Sequence, residues 1–596
     1  MDNEVLNGTY KLLHRFRYPT QNTTIDAIAV SRHSANILIS FYTLMFGVIV
    51  SQVWTFIVLL GAAFFMRKSH SHNRAAVTAG IYNAQSSPVS VVLLILKYIK
   101  PMRREFRYLL LWTILATLAI AASALASILI TPFLQIGIAA PVNRNMVYLP
   151  ANTMPDGAAL NRTMAITAYA LNVPGALRAA GLVSTTPRNS ISIEQEASNN
   201  ESFVQVNYHY NISAAEFGLQ VLPGLILHVD GSCYTEYSWY RSTVQTNRST
   251  TDTYYLWNDS TYTQNVSSSD GGPPFPYFNP NLDSYGPGVG SSNITYAIAI
   301  SSLGRLSTTA GTDPWYLTET VNSGASSLPN KVRNQRPVLS CWQSQVLHYK
   351  GMESDVWDLY TLDLEFGTSR NSTFLADVFG TYLIRPSIVQ VGQHLGRSAL
   401  ESSLSTATGA FFNAAGASIN RDLNYLVMAS YIATRNMFVE TTRYSTEGRA
   451  GLLDLARDEH NLTRFGTGEF VITDAGVSTL SIRMIIIVPT VTVGMVLLAF
   501  AFSRVPSPWR VSNALNATVL YSHLHQAMAD GVGESQDWDR EGTVSFSRIE
   551  AQAAIIPVWQ PAEGGFKWVR SPKWVLLFLF LFSFCVLYKL KCESRD

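Results

Sequence analysis

Hydrophobic and polar positions are distributed in blocks along this chain. Ile37–Met66, Tyr108–Ala140 and Met484–Ser503 contain no Asp, Glu, Lys, Arg or His. About 20 apolar residues at 1.5 Å rise cross a hydrocarbon core of roughly 30 Å, so each block predicts a transmembrane helix. A fourth apolar block, Trp574–Tyr588, is only 15 residues long. It spans if Lys573 and Lys589 extend to the headgroups or the bilayer thins locally.

Between the second and third blocks lies the polar stretch Pro141–Ser481, where the apolar period shortens to two. Phe203–Tyr208, Leu219–Val229 and Ile294–Ile300 read as strands, with loops at Asp270–Pro274 and Tyr285–Ser291. From Pro386 to Asp458 the period lengthens again. Ser398 and Glu401 have capping-box spacing ahead of Leu400, Leu404 and Phe411, which predicts one helix. Asn420 ahead of Leu423, Val427, Tyr431, Thr434 and Phe438 predicts a second. The expected fold class is an α-helical membrane anchor of three to four transmembrane helices carrying an α+β, β-rich extracytoplasmic domain that ends in a helical pair.

Charge sets the expected orientation. The loop 67–107 carries Arg67, Lys68, Arg74, Lys97, Lys100, Arg103, Arg104 and Arg107 against Glu105 alone, and such short basic loops stay cytosolic. Residues 141–481 hold 28 Asp and Glu against 20 Lys and Arg, so the rest of this +2 chain is net +10. The expected layout is an extracytoplasmic N-terminus (1–36), a helix (37–66), a basic cytoplasmic hairpin (67–107), a helix (108–140), a glycosylated ectodomain (141–481) and a helix (482–503). A cytoplasmic segment (504–573), a short fourth helix (574–588) and a tail (589–596) complete it. Residues 1–36 lack an apolar core with a cleavage site, which leaves the first helix as the insertion signal. Inside the hairpin, Val89–Leu96 is too short to span. It reads equally as an interfacial segment or as a turn packed under the second helix.

Nine N-x-S/T sequons fall in 141–481: Asn161, Asn200, Asn211, Asn247, Asn258, Asn265, Asn293, Asn371 and Asn461. So Asn- and Ser/Thr-rich a stretch would contain about five by chance, so nine is a mild excess. Asn7 and Asn22 are further acceptors in the N-terminal segment. Cys233 and Cys341 are the two cysteines of 141–481, and in an oxidising compartment each has the other as its intramolecular partner.

The catalytic classes leave few residues to carry them. Ion paths need ionisable groups within the bundle, and these spans offer only Gln52 and Gln135 as strongly polar groups, which disfavours a transporter or channel. There is no G-x-S-x-G, H-E-x-x-H or Walker A motif. The pairs His70/His72 and His523/His525 lack a third ligand, and the reading calls for no metal, cofactor or catalytic residue. Aromatic residues crowd Cys233–Tyr277. Tyr237, Trp239, Tyr254 and Trp257 are the candidate ligand surface, with Tyr237 and Trp239 spaced to share a strand face. The commoner use of such residues is the core of a β-rich domain.

The Ser86–Pro88 motif in the basic hairpin, the segment Gln135–Asn143 (QIGIAAPVN) with Val147–Pro150, and Cys341-Trp342 together resemble multi-pass membrane proteins of filamentous fungi. The resemblance covers mainly residues 37–150 and the overall layout. It implies a fungal plasma-membrane or endomembrane setting, and an accessory gene near secondary-metabolism or host-interaction loci. It carries over no catalytic residues. The expected function is a non-enzymatic, glycosylated surface protein that binds or organises through its ectodomain, with the lipid bilayer and a surface protein or cell-wall glycan as partners. An ectoenzyme acting on cell-wall polymers is the alternative, and nucleic acid is not an expected partner.

Overall fold

A computed structural model describes residues 8–504, except for 69–76, 100–105, 151–172, 188–190, 197–201, 268–273, 285–292, 321–327, 356–373, 407–411, 444–452 and breaks of one or two residues. The expected cytoplasmic segment, fourth helix and C-terminal tail therefore lie outside the described residues. So do Asn7, Asn161, Asn200, Asn247, Asn258 and Asn371.

Strand β1 (Thr24–Ser31) runs into helix α1 (Arg32–Lys68), followed by α2 (Pro88–Tyr98), α3 (Phe106–Leu134), β2 (Gln135–Gly137) and β3 (Ala139–Pro141). The middle of the chain forms β4 (Ile191–Glu196), β5 (Gln205–Ser213), β6 (Ile226–Glu236), β7 (Tyr240–Gln245), β8 (Ser249–Leu256), β9 (Ser260–Ser267), β10 (Pro276–Pro280), β11 (Asn293–Ile300), β12 (Val338–Tyr349) and β13 (Met352–Asp355). Helices α4 (Phe374–Leu383), α5 (Ser387–Leu395) and α6 (Ile419–Arg435) precede β14 (Val471–Thr473), β15 (Val477–Ser481) and α7 (Ile482–Arg504). The chain divides into two units: a helical one built mainly from 26–138 and 475 onward, and a β-rich one built mainly from 139–474.

In the helical unit, α1, α3 and α7 each contain a stretch long and apolar enough to cross a membrane. Large apolar side chains stand exposed on all three, among them Leu44, Leu60, Leu118, Ile128, Ile486 and Leu497, which suits lipid. The α1 helix begins at Arg32, five residues before the charge-free block, because the Ser31 hydroxyl caps the Ser34 N–H at 3.2 Å. The α3 helix ends at Leu134, earlier than the apolar run predicts, and Gln135–Pro141 is strand. Gly61 lets α1 meet α3 closely, since a Cβ there would lie 2.6 Å from the Trp112 ring. Helix α2 buries Val91 and Ile95 against Trp54 and Trp112 and leaves Val89, Leu93 and Leu96 exposed on its other face. Strands β1, β15 and β2 pair side by side. They precede α1, precede α7 and follow α3 respectively, so the three helix ends meet at one end of the bundle.

In the β-rich unit, β10-β11-β12-β6-β5-β4 form an antiparallel sheet, with β13 hairpinned onto β12 as its seventh strand. Alternation is strict on β5: Val206, Tyr208, Tyr210 and Ile212 are buried, whereas Gln205, Asn207, His209 and Asn211 face outward. The buried face joins α4–α6 in one hydrophobic core. The Tyr210 ring lies 5.5 Å from Tyr431 of α6, and its hydroxyl lies 2.8 Å from the Ser387 hydroxyl of α5. Gly231 stands opposite Tyr208 because the ring occupies the space a side chain would fill; a Cβ would sit 2.1 Å from Tyr208 Cζ. The second sheet, β9-β8-β7, covers the other face of the first at its β11 end.

The helical segment departs from its expected form. Ser398 caps nothing in the short helix Glu401–Leu404, where Leu400 holds the cap position without a side-chain bond. Asp422 of α6 accepts the Ser402 N–H at 2.8 Å instead, so a tertiary contact replaces the local cap. The α6 stripe of Leu423, Val427, Tyr431 and Thr434 is buried as expected, but its cap is Ser418, not Asn420, and Phe438 lies beyond the helix end. Strand β6 starts at Ile226, not Leu219.

Candidate functional site

The aromatic stretch is mostly an inter-sheet seam. Tyr254 and Leu256 of β8 pack on Ala297 and Ala299 of β11 and Val338 of β12, with Tyr240, Tyr262 and Tyr277 around them. Among the four candidate residues, Tyr254 is 2% exposed and therefore interior. Trp239 and Trp257 are half-buried and meet edge to face at 5.5 Å. Tyr237 is 41% exposed. Tyr237 and Trp239 do not share a strand face, because 237–240 is a turn closed by a bond from the Tyr240 N–H to the Tyr237 carbonyl. The outward face of the small sheet instead presents Tyr255, 42% exposed, with the Arg241 guanidinium 5.0 Å from its ring centre. Thr261, Thr263 and Asn265 of β9 extend this face as exposed polar groups.

One buried ion pair fastens this sheet. Arg336 donates to Asp252 Oδ2 at 2.6 Å and to the Ile300 carbonyl and Ser302 Oγ at 2.8 Å each. Both side chains are almost wholly enclosed, at 2% and 0% exposure. Asp252 also accepts from the Thr243 hydroxyl, so the carboxylate beneath the aromatic sheet is spent on structure.

A second polar cluster organises the start of α6. Asp313 accepts from the N–H groups of Trp315 and Ile419, at 3.0 and 2.9 Å. Asp422 accepts from the Ser402 N–H and hydroxyl and from the Tyr316 hydroxyl. Burial raises both carboxyls, Asp313 to about 6 and Asp422 to about 7, against hydrogen bonds that pull the other way. A cavity of about 150 Å³ lies beside Ser402 and Asp422, lined also by Glu401, Asn413 and Arg421. Each acceptor is occupied by a fold-determining bond, which reads as anchoring of a helix N-terminus.

The outward face of the large sheet carries histidines that sequence reasoning did not single out. His209 of β5 stands opposite Asp230 of β6, with Nδ1 2.6 Å from its carboxylate. His348 of β12 stands opposite Glu353 of β13, with Nδ1 at 3.1 Å. His228 lies between, its ring centre 4.2 Å from that of His348 and 6.4 Å from that of His209. Burial, then its two histidine neighbours, lowers the His228 pKa. The pattern His228-Val229-Asp230 on an alternating strand was the available signal. No group of three His, Cys, Asp or Glu among the described residues is arranged to hold a metal ion.

Cys233 and Cys341 face one another across β6 and β12 and form a disulfide that spans 108 residues of sequence. Among the described sequons, Asn22, Asn265, Asn293 and Asn461 are exposed, and Asn461 also accepts a bond from Arg457 Nη1 at 2.8 Å. Asn211 is half-buried in the middle of β5.

A family described as a domain of unknown function, DUF8406, matches residues 173–472, half of the 596-residue chain. The chain belongs to the DUF8406 family. The matched segment contains the seven-stranded sheet, the β9-β8-β7 sheet and helices α4–α6, and leaves out α1–α3 and α7. No curated protein and no solved structure matches the chain.

Proposed function

We propose that this chain is a multi-pass membrane protein whose β-rich unit faces the non-cytosolic side and serves as a non-enzymatic binding or organising domain. One observation carries the reading. The β1-β15-β2 pairing gathers the start of α1, the end of α3 and the start of α7 at one end of the bundle. The chain therefore enters α1 and α7 and leaves α3 at this end, while α1 runs toward and α3 runs from the basic loop 67–107 at the other. Basic loops are retained in the cytosol, which supports an outward-facing β-rich unit. The implied fungal surface or endomembrane setting agrees with that assignment.

The contact surface we favour is the outward face of β9-β8-β7 with its adjoining turn, where Tyr237, Tyr255 and Arg241 stand among Thr and Asn side chains. Flat rings with hydroxyl and amide neighbours suit a cell-wall glycan. The commitment of Asp252 to Arg336 supports binding over hydrolysis at this face.

The test uses full-length protein from a eukaryotic host, in detergent. Peptide-N-glycosidase is expected to lower the apparent mass, and Asn293→Gln and Asn461→Gln each to remove part of the shift. Retention on insoluble β-glucan or chitin is expected to fall about fivefold in Tyr255→Ala, equivalent to a stacking contact of about 1 kcal/mol. Absence of any glycosidase shift defeats the outward assignment. Unchanged retention in Tyr237→Ala and Tyr255→Ala defeats the aromatic surface alone.

A further inference from the structure

A wide groove of about 670 Å³ runs beside Asn211 on the outward face of the large sheet. Its size lies within the roughly 300–1,000 Å³ of small-molecule sites. Tyr18 contributes an aromatic wall, while Gln21, Ser192, His209, Asn211 and Ser213 contribute hydrogen-bonding groups. Among the described residues no Lys or Arg lines it, and its acid, Glu216, is engaged with the Ser213 N–H and hydroxyl at 2.8 and 2.9 Å and with the Tyr431 hydroxyl at 3.0 Å. The described lining therefore offers none of the cations that a phosphate or carboxylate ligand would need. An aromatic wall with amides and hydroxyls is the donor set for a neutral polyhydroxylated ligand.

Asn211 supplies the second observation. Its Oδ1 is enclosed and has no hydrogen-bond partner among the described residues, whereas its Nδ2 is not among the enclosed unpaired atoms. Buried acceptors are normally satisfied, so an unpaired one on a groove-lining residue marks a place where a ligand hydroxyl or N–H is expected. Asn211 also opens the sequon Asn211-Ile212-Ser213, and Ser213 lines the same groove.

We propose that the groove is a saccharide cradle that takes neutral sugar rings, supplied either by an N-linked glycan on Asn211 or by a free oligosaccharide. The glycan source rests on the outward assignment of the β-rich unit; the free-sugar source does not, so the two can fail separately. A glycan held in the groove lies along Tyr18 and Gln21 and is screened from glycosidases in the native protein.

The experiment uses full-length protein from a eukaryotic host, in detergent, with glycopeptide mass spectrometry at Asn211 and calorimetric titration with chitobiose. A sugar at Asn211 that native peptide-N-glycosidase releases about fivefold faster in Tyr18→Ala or Gln21→Ala identifies the chain's own glycan as the occupant. Gln21 is exposed, so its variant keeps the test open should Tyr18→Ala disturb folding. An unmodified Asn211 with saturable chitobiose binding, weakened about fivefold by either substitution, identifies a free saccharide. A glycan whose release neither substitution changes, or an unmodified Asn211 with no saturable chitobiose binding, overturns the proposal.

Discussion

Replacing Arg336 with Met tests whether the buried ion pair holds the aromatic sheet in place. The substitution keeps the aliphatic volume but removes the guanidinium. Asp252 is then left at 0% exposure without its counter-charge, and the bonds to the Ile300 carbonyl and Ser302 hydroxyl disappear. Removing one partner of an enclosed pair costs about 3–5 kcal/mol, mainly through the uncompensated charge that remains. At roughly 2 °C per kcal/mol for a domain of this size, the β-rich unit should unfold about 6–10 °C lower. Calorimetry of the full chain in detergent reads the shift. The double variant Arg336→Met/Asp252→Leu removes both charges and should recover at least half of the loss, because an apolar pair needs no compensation. A single-variant loss below about 1 kcal/mol, or a double variant no more stable than Arg336→Met, would refute the assignment.

Three further outcomes follow from the packing. Asp422 has a folded pKa of about 7 against 3.8 unfolded, so the folded state holds the extra proton and stability falls as pH rises from about 4 to 7, then levels. Asp422→Asn mimics the protonated form and should flatten that slope in thermal scans between pH 4 and 8; an unchanged slope counts against the burial argument. Gly231→Ala places a Cβ 2.1 Å from Tyr208 Cζ and should cost about 1–3 kcal/mol by overpacking, read as a lower denaturant midpoint, whereas a neutral variant would mean that the ring swings aside freely. Cys233→Ser/Cys341→Ser should lower stability by about 2–5 kcal/mol, and non-reducing gels of the wild type should show a compact species that dithiothreitol abolishes.

Some of this structure is legible residue by residue. The charge-free blocks became α1, α3 and α7 because spanning length and apolarity are local properties, and the α6 stripe followed from period alone. The failures share a cause. Ser398 has the right spacing for a cap, yet the Ser402 N–H is taken by Asp422 from another helix. Tyr237 and Trp239 have the spacing of a strand face, yet a turn holds them. Nothing in the sequence around His209 or His348 shows that each would stand opposite a carboxylate, since that depends on which strands become neighbours.

By itself, then, the sequence determined three long apolar helices, the basic loop, the existence of a β-rich body between the second and third helices, and the single available pairing of Cys233 with Cys341. Each rests on composition or on spacing within a few turns or strands. Only the tertiary structure decided that β1, β15 and β2 gather three helix ends together, that Asp252 and Arg336 meet inside, and that Asn211 opens onto a groove with Tyr18. Those facts join residues up to about 450 positions apart, and they depend on strand register and sheet packing, on which local hydrophobic pattern has no hold.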